Sequence, residues 1–210
     1  MSPASSTTPA RRPGGRTARV RAQVLAAVRA QLVEHGYDAL TIDAVAARAG
    51  VHRTTVYRRW RDVGGLLADV LDETSDDDWR PPDTGSLEDD LTALNQEIFD
   101  ALTADPPITT ALIAASFRSE EAARALRRLW QDRYTRCEPL VDRAVRRGEI
   151  PRDTDPRALL IAATAPLYHH LVLLRTPPDP RLPAQTARSI AKAAAGGAFS
   201  VSAPPAEARP

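Results

Sequence analysis

Apolar positions recur every three to four residues along most of this 210-residue chain, the spacing of helices with one buried face. The first such segment, 16–34, places Val20, Val24, Ala27, Val28, Leu32 and Val33 on one side. Gly36 ends it, because glycine accepts the left-handed conformation common just past a helix. Thr41 is an N-cap residue type, and Ile42, Val45, Ala46 and Ala49 form the face of a second helix. Gly50 supplies a turn, with Val51 packing inward behind it. A third, short helix over about 53–59 is anchored by Val56 and Trp60, and a fourth over 63–73 has Asp62 as its N-cap.

Segment 75–85 is rich in Asp and Pro and reads as a loop. Helical patterning resumes over 87–102 and 108–117, then runs long over 119–148, with Pro139 expected to bend or break it. Asp155 caps the next segment, 156–174, whose Pro156 stands in the favoured first turn. A Pro-rich loop and an alanine-dense helix over 185–199 follow. The tails, 1–15 and 201–210, carry no apolar pattern and are expected to be disordered; Arg11 and Arg12 in the first can still reach a phosphate. The pattern predicts an all-α protein, with a helical head over 16–62 and a helical body over 63–200.

Composition sharpens this in two ways. The formal net charge of +1 hides a separation: residues 1–61 hold eleven arginines against Glu34, Asp38 and Asp43, whereas 62–105 hold fourteen acids against Arg80 alone. A basic head beside an acidic neck points to a polyanion met at the head only. Cys137 is the only cysteine, so no intrachain disulfide forms and a reducing, cytoplasmic compartment is expected. No stretch reaches the eighteen uncharged apolar residues of a membrane span. No G-x-S-x-G elbow, glycine-rich phosphate loop, H-E-x-x-H or CxxC is present, and adjacent His169 and His170 point apart on a helix, so neither catalysis, nor a metal, nor a cofactor is expected.

The polyanion chemistry gathers around the third helix. A major groove about 12 Å wide admits one helix. His52, Arg53, Thr54, Thr55 and Arg58 fall on the outer side or the start of this one. An arginine fork matches guanine, and Thr55 suits a thymine methyl. Tyr57 and Arg59 are better placed for the backbone, where contacts orient a helix without reading sequence. Thr41, at a helix N-terminus, suits an anion, and Arg16, Arg19 and Arg21 can add phosphate contacts or reach a minor groove. Duller readings stand beside these: Tyr57 as partly core, Trp60 as core, His52 as a cap, Arg48 as surface rather than a phosphate contact.

The order cap, small-residue helix, Gly turn, short polar helix and aromatic anchor, in LTIDAVAARAGVHRTTVYRRW, resembles the helix-turn-helix of the TetR family of transcriptional regulators. The resemblance extends over about 17–71, including Val24, Leu25, Ala27, Ala30, Leu32 and the Gly36-Tyr37 ending of the first helix. The stretch APLYHHLVLLRTPPD and the last helix resemble one large subgroup. The resemblance implies a bacterial, all-helical homodimer with a DNA-binding head and a body that binds a small molecule and dimerises. It usually implies a repressor that leaves its operator when the effector binds, although an activator needs the same head. Thr41, His52, Arg53, Thr54, Thr55, Tyr57, Arg58 and Arg59 fall in the DNA-contacting region. The chain departs from the family after Trp60, with Arg61-Asp62-Val63-Gly64-Gly65 where many relatives have Pro-Ser-Lys-Glu-Ala. Val63 thus replaces a phosphate-binding lysine, for which Arg61 is the candidate substitute, and Gly64 and Gly65 are expected to soften the fourth helix.

For the body, Phe99, Phe117, Trp130, Tyr134, Tyr168 and His169 are candidates to line a pocket for an apolar or aromatic effector, each with a core role as the alternative. Leu159, Ala163, Leu167, Leu171 and Leu174 form a stripe that, with Ile190, Ala194 and Ala198, suits a four-helix dimer contact. Two heads on a two-fold axis imply a near-palindromic double-stranded operator. The competing reading is a helical ligand- or protein-binding module without sequence-specific DNA binding.

Overall fold

The structure, a computed structural model, describes residues 15–75 and 78–201. Arg11 and Arg12, most of both expected tails, and the side chain of Arg16 lie outside the described residues. The element order is α1 (Arg16–His35), α2 (Ile42–Ala49), α3 (Arg53–Trp60), α4 (Val63–Ser75), α5 (Leu87–Thr103), α6 (Ile108–Ser116), α7 (Glu120–Arg147), α8 (Pro156–Tyr168) with a π-helical continuation His169–Leu173, and α9 (Leu182–Ala195). The protein is all-α, with a helix-turn-helix arrangement at the N-terminal end and a helical body behind it.

Local chemistry accounts for the boundaries. Thr41, Ser86 and Ser119 each accept a backbone N–H three residues on, and Asp155 accepts those of Arg157 and Ala158, filling donors left open in a first turn. Asp62 does the same for the amide of Gly65 at 2.9 Å. Gly50 and Gly148 end their helices at φ +64° and +76°.

The head core is Val24, Leu25, Val28, Leu32, Ile42, Val45, Val56 and Trp60, and it does not stop at α3. Leu66, Leu67, Val70 and Leu71 of α4 complete it, and Leu112, Ala115, Ala122 and Ala125 carry it into α6 and α7. A second cluster holds the body together through Leu91, Leu140, Leu159 and Leu160, and a smaller third one contains Phe99, Leu102, Ile113 and Leu167. The charge separation along the sequence is stitched together in space. Asp69 and Glu73 of α4 bind Arg21, Glu73 also binds Arg29 of α1, and Asp72 binds Arg128 of α7.

Four expectations change. Pro139 neither breaks nor ends α7. It lies on the exposed face together with Thr135, whose carbonyl loses its partner there, so water can satisfy that group. Gly64 and Gly65 do not simply weaken α4. A β-carbon on Gly65 would run into the carbonyl of Trp60, and one on Gly64 would come within 2.7 Å of Ser119 Oγ, so both glycines permit close packing at the head–body joint. The helix expected over 156–174 leaves α geometry after Tyr168, two residues beyond Pro166. Finally, the stripe Leu159, Ala163 and Leu167 is fully buried in the chain's own core and does not form an outer face. The outward side of α8 is Ala158, Ile161, Ala165 and His169.

Candidate nucleic-acid interface and helical cavity

Turning α3 so that Val56 and Trp60 enter the core fixes what faces out. The Trp60 indole N–H donates to Asp69 Oδ2 at 2.7 Å, and Arg21 grips the same carboxylate at 2.7 Å, joining α1, α3 and α4 through one acid. Burial alone would raise the Asp69 pKa, but the hydrogen bonds from Arg21 and Trp60 outweigh it and hold the carboxyl below its usual range. Arg21 is therefore a buttress of the head and is turned away from any outside phosphate.

The opposite side of α3 presents Arg53, Thr54, Tyr57 and Arg58, all exposed, with Thr55 half-buried beside them. His52 is exposed at the helix start, its Nδ1 2.9 Å from Thr54 Oγ1. Arg59 lies over the Trp60 ring at 5.1 Å. Arg61 stands in the turn at φ +61°, and Val63, in the family's lysine position, is half-buried against the head core. None of Arg53, Arg58, Arg59 and Arg61 has an acidic partner among the described residues, and neither does Arg19, exposed near the start of α1. Arg48 differs, since Glu34 holds both of its terminal nitrogens at 2.6 Å. Thr41 is exposed, and its oxygen is used as the cap of α2 at 3.1 Å, leaving its hydroxyl proton for an outside acceptor. The head thus sorts its arginines: some brace helices in ion pairs, while those on and around α3 face solvent outside any ion pair among the described residues, Arg59 being near enough to Asp69 to help hold its carboxyl pKa down.

Behind the head, α4–α8 line a partly open cavity of about 240 Å³. Its walls are mainly apolar: Leu71, Leu94, Ile98, Leu102, Leu112, Ile113, Leu126 and Leu129. Of the six aromatic or histidine candidates, Trp130, Tyr134 and Tyr168 line it. Phe99 does not, because it packs with Leu102, Ile113 and Leu167 in the third core cluster. Phe117 does not either; it follows α6 and is 76% exposed. His169 faces solvent at the start of the π-helical stretch. Sequence reasoning missed Trp79, Glu97 and Arg133, which also line the cavity. The Trp79 indole donates to Glu97 Oε2 at 2.7 Å, and the Arg133 guanidinium lies 4.7 Å from its ring centre. A tryptophan in an Asp- and Pro-rich loop was the available signal, since so large an apolar ring is costly to leave in water. Cys137 is on the wall too. Burial, partly opposed by Arg133 and reinforced by Glu97, pushes its thiol up to about 12, so it behaves as an apolar group.

Cavity and head share walls. Leu71, Leu112, Leu126 and Leu129 line the cavity and also pack with the head core. At the α6–α7 turn, Arg118 binds Asp38 at 2.8 Å, its guanidinium lies 5.5 Å from the Tyr37 ring, and its carbonyl accepts the Tyr37 hydroxyl at 3.3 Å.

Comparison with known proteins agrees with this layout. Residues 24–70 match the bacterial regulatory proteins of the tetR family, and 81–190 match the tetracyclin repressor-like C-terminal domain. The chain belongs to the TetR family. It is 35% identical over 173 residues to the HTH-type transcriptional regulator AqdR of Rhodococcus erythropolis, covering 81% of this chain and 83% of that protein. It is 36% identical over 158 residues to the DNA-binding transcriptional repressor TetR of Mycobacteroides abscessus, covering 73% and 83%. Among solved structures, the TetR family regulator SCO0332 superposes with a TM-score of 0.62 at 29% identity, over 83% of this chain and 97% of its own. Members of this family are regulators, not enzymes. Among the described residues, no helix of this TetR-family chain is long and apolar enough to cross a membrane, and no group of three or more His, Cys, Asp or Glu could hold a metal ion.

Proposed function

We propose that the protein is a homodimeric transcriptional repressor that binds a near-palindromic duplex through α3 and is released by a small apolar molecule in the body cavity. The observation that carries this is the outer face of α3, where Arg53, Arg58, Arg59 and Arg61 are exposed without acidic partners while Val56 and Trp60 hold the helix from behind. Eight residues make a helix about 12 Å long, matched to one crossing of a major groove. Arg53, Arg58, Thr54 and Thr55 are the base-reading candidates. Arg19, Thr41, His52, Tyr57, Arg59 and Arg61 are the backbone-binding set, with Arg61 serving in place of the lysine absent at Val63, and Arg16 begins the helix that carries Arg19. Trp130, Tyr134 and Tyr168 belong to the effector site. A molecule that fills the cavity presses on Leu71 and Leu112, which share the core beneath α3, and this alters where the heads lie.

Selection of duplexes from a random pool by the full chain tests the reading. An inverted repeat should emerge, with binding that weakens steeply as salt rises. Arg58→Ala should cost about 1–3 kcal/mol at one base position. Equal loss on every duplex would make Arg58 a phosphate contact, and a pool with no enriched sequence would refute specific recognition.

A further inference from the structure

Four residues on the cavity wall carry hydroxyls: Thr109, Tyr134, Thr164 and Tyr168. A count of their protons shows what the cavity can still offer. Thr164 has one proton and donates it to the carbonyl of Leu160, 3.0 Å away. The contact of 3.1 Å between Thr164 and Tyr134 must therefore be made with the Tyr134 proton, which leaves Tyr134 no donor for anything else. Tyr168 differs. Its ring is set edge-on to Trp130, with centres 5.1 Å apart, and its hydroxyl has no hydrogen-bond partner among the described residues; the Thr109 hydroxyl, on α6, has none either, but no aromatic ring is paired with it. Burial raises the phenol's pKa, and nearby Tyr134 adds to this, so the proton stays in place across the ordinary pH range. The hydroxyl is not sealed from water, so water can serve it while the cavity is empty, and a ligand that displaces that water leaves the donor unsatisfied unless it brings an acceptor of its own.

We infer that the effector is a neutral, largely apolar molecule bearing a hydrogen-bond acceptor such as a carbonyl oxygen, which the Tyr168 hydroxyl recognises while the body of the molecule packs on Trp130. This rests on the effector-binding reading of the cavity and narrows its chemistry. Neutrality follows from the surroundings of Tyr168. The charged groups near it are already engaged, Glu97 and Arg133 with Trp79 and Arg157 with the Tyr134 ring, 4.6 Å from its centre, so an anion at Tyr168 would lose its hydration without a free countercharge. A cavity of roughly 150 Å³ holds one benzene, so about 240 Å³ takes a two-ring aromatic.

Three matched probes test this by calorimetry on the full chain without DNA: 2-acetylnaphthalene, 2-isopropylnaphthalene and 2-naphthoate. The ketone should bind about two- to tenfold more tightly than the hydrocarbon, and the carboxylate more weakly than the ketone. Tyr168→Phe should abolish the ketone's advantage over the hydrocarbon, without weakening the hydrocarbon's own binding. Equal binding of ketone and hydrocarbon, or no binding of any probe, would overturn the inference. So would an advantage that survives Tyr168→Phe but is lost in Thr109→Ala, or tighter binding of the carboxylate that is lost in Arg133→Gln. Because no duplex is present, a protein that shows the predicted ketone preference yet enriches no DNA sequence would refute the regulator reading and leave this one standing.

Discussion

Asp69 accepts hydrogen bonds from Trp60 and Arg21 at once, so it fixes how α3 projects from the head. Asp69→Asn should lower stability by about 1–3 kcal/mol, measured by urea unfolding near neutral pH. The sign of the pH dependence follows from the depressed carboxyl pKa. The stabilisation is present above the unfolded-state value of ~3.9 and is lost as pH falls towards the lower folded value. The gap between wild type and Asp69→Asn should therefore close in acid, and a gap that widens there would contradict the assignment. Gly65 offers a second test. Helix propensity alone predicts a gain of up to about 1 kcal/mol for Gly65→Ala, but the new methyl would meet the Trp60 carbonyl, so the melting temperature should fall. Neither effect was legible in the sequence. Trp60 reads as core from its spacing, but its polar partner lies nine residues on, and a clash between Gly65 and a carbonyl is a property of one backbone path.

Elements were more legible than partners. The α2–turn–α3 unit follows from Thr41, Gly50, Val56 and Trp60, since each is a local signal that the head's core then reinforces. The body was legible as helices but not as faces. Leu159, Ala163 and Leu167 form a stripe on any helix; only packing against α5 and α9 shows that the stripe points inward. Among the aromatic residues, Trp130, Tyr134 and Tyr168 meet at the cavity, whereas Phe117 is exposed, and spacing cannot distinguish these outcomes. Pro139 shows the same limit, because a broken helix and a tolerated proline look alike until exposure is known. Pro139→Ala restores an amide donor in α7 and should stabilise the protein by about 1–2 kcal/mol, less than the ~3 kcal/mol propensity difference because proline also restricts the unfolded chain. No change in a urea titration would mean that α7 has adapted its packing to the proline.

At the scale of the whole molecule, the proposed mechanism needs two heads at a fixed separation. The outward side of α8, with Ile161 45% exposed between Ala158 and Ala165, is the proposed dimer face. Ile161→Glu should weaken the dimer at least about tenfold, since burying one unpaired charge exceeds 1.4 kcal/mol, and sedimentation would report it; an unchanged dimer would move the contact elsewhere. In the proposed mechanism, the walls that cavity and head share through Leu71 and Leu112 link effector binding in each copy to the position of that copy's head. The most direct test is a hydroxyl-radical footprint of the full chain on the duplex it selects. Two protected patches on one side of the helix, one turn or a whole number of turns apart (about 10 base pairs each), and both lost together in Arg58→Ala, are the predicted result. A single patch, or even protection along the duplex, would contradict paired recognition by α3.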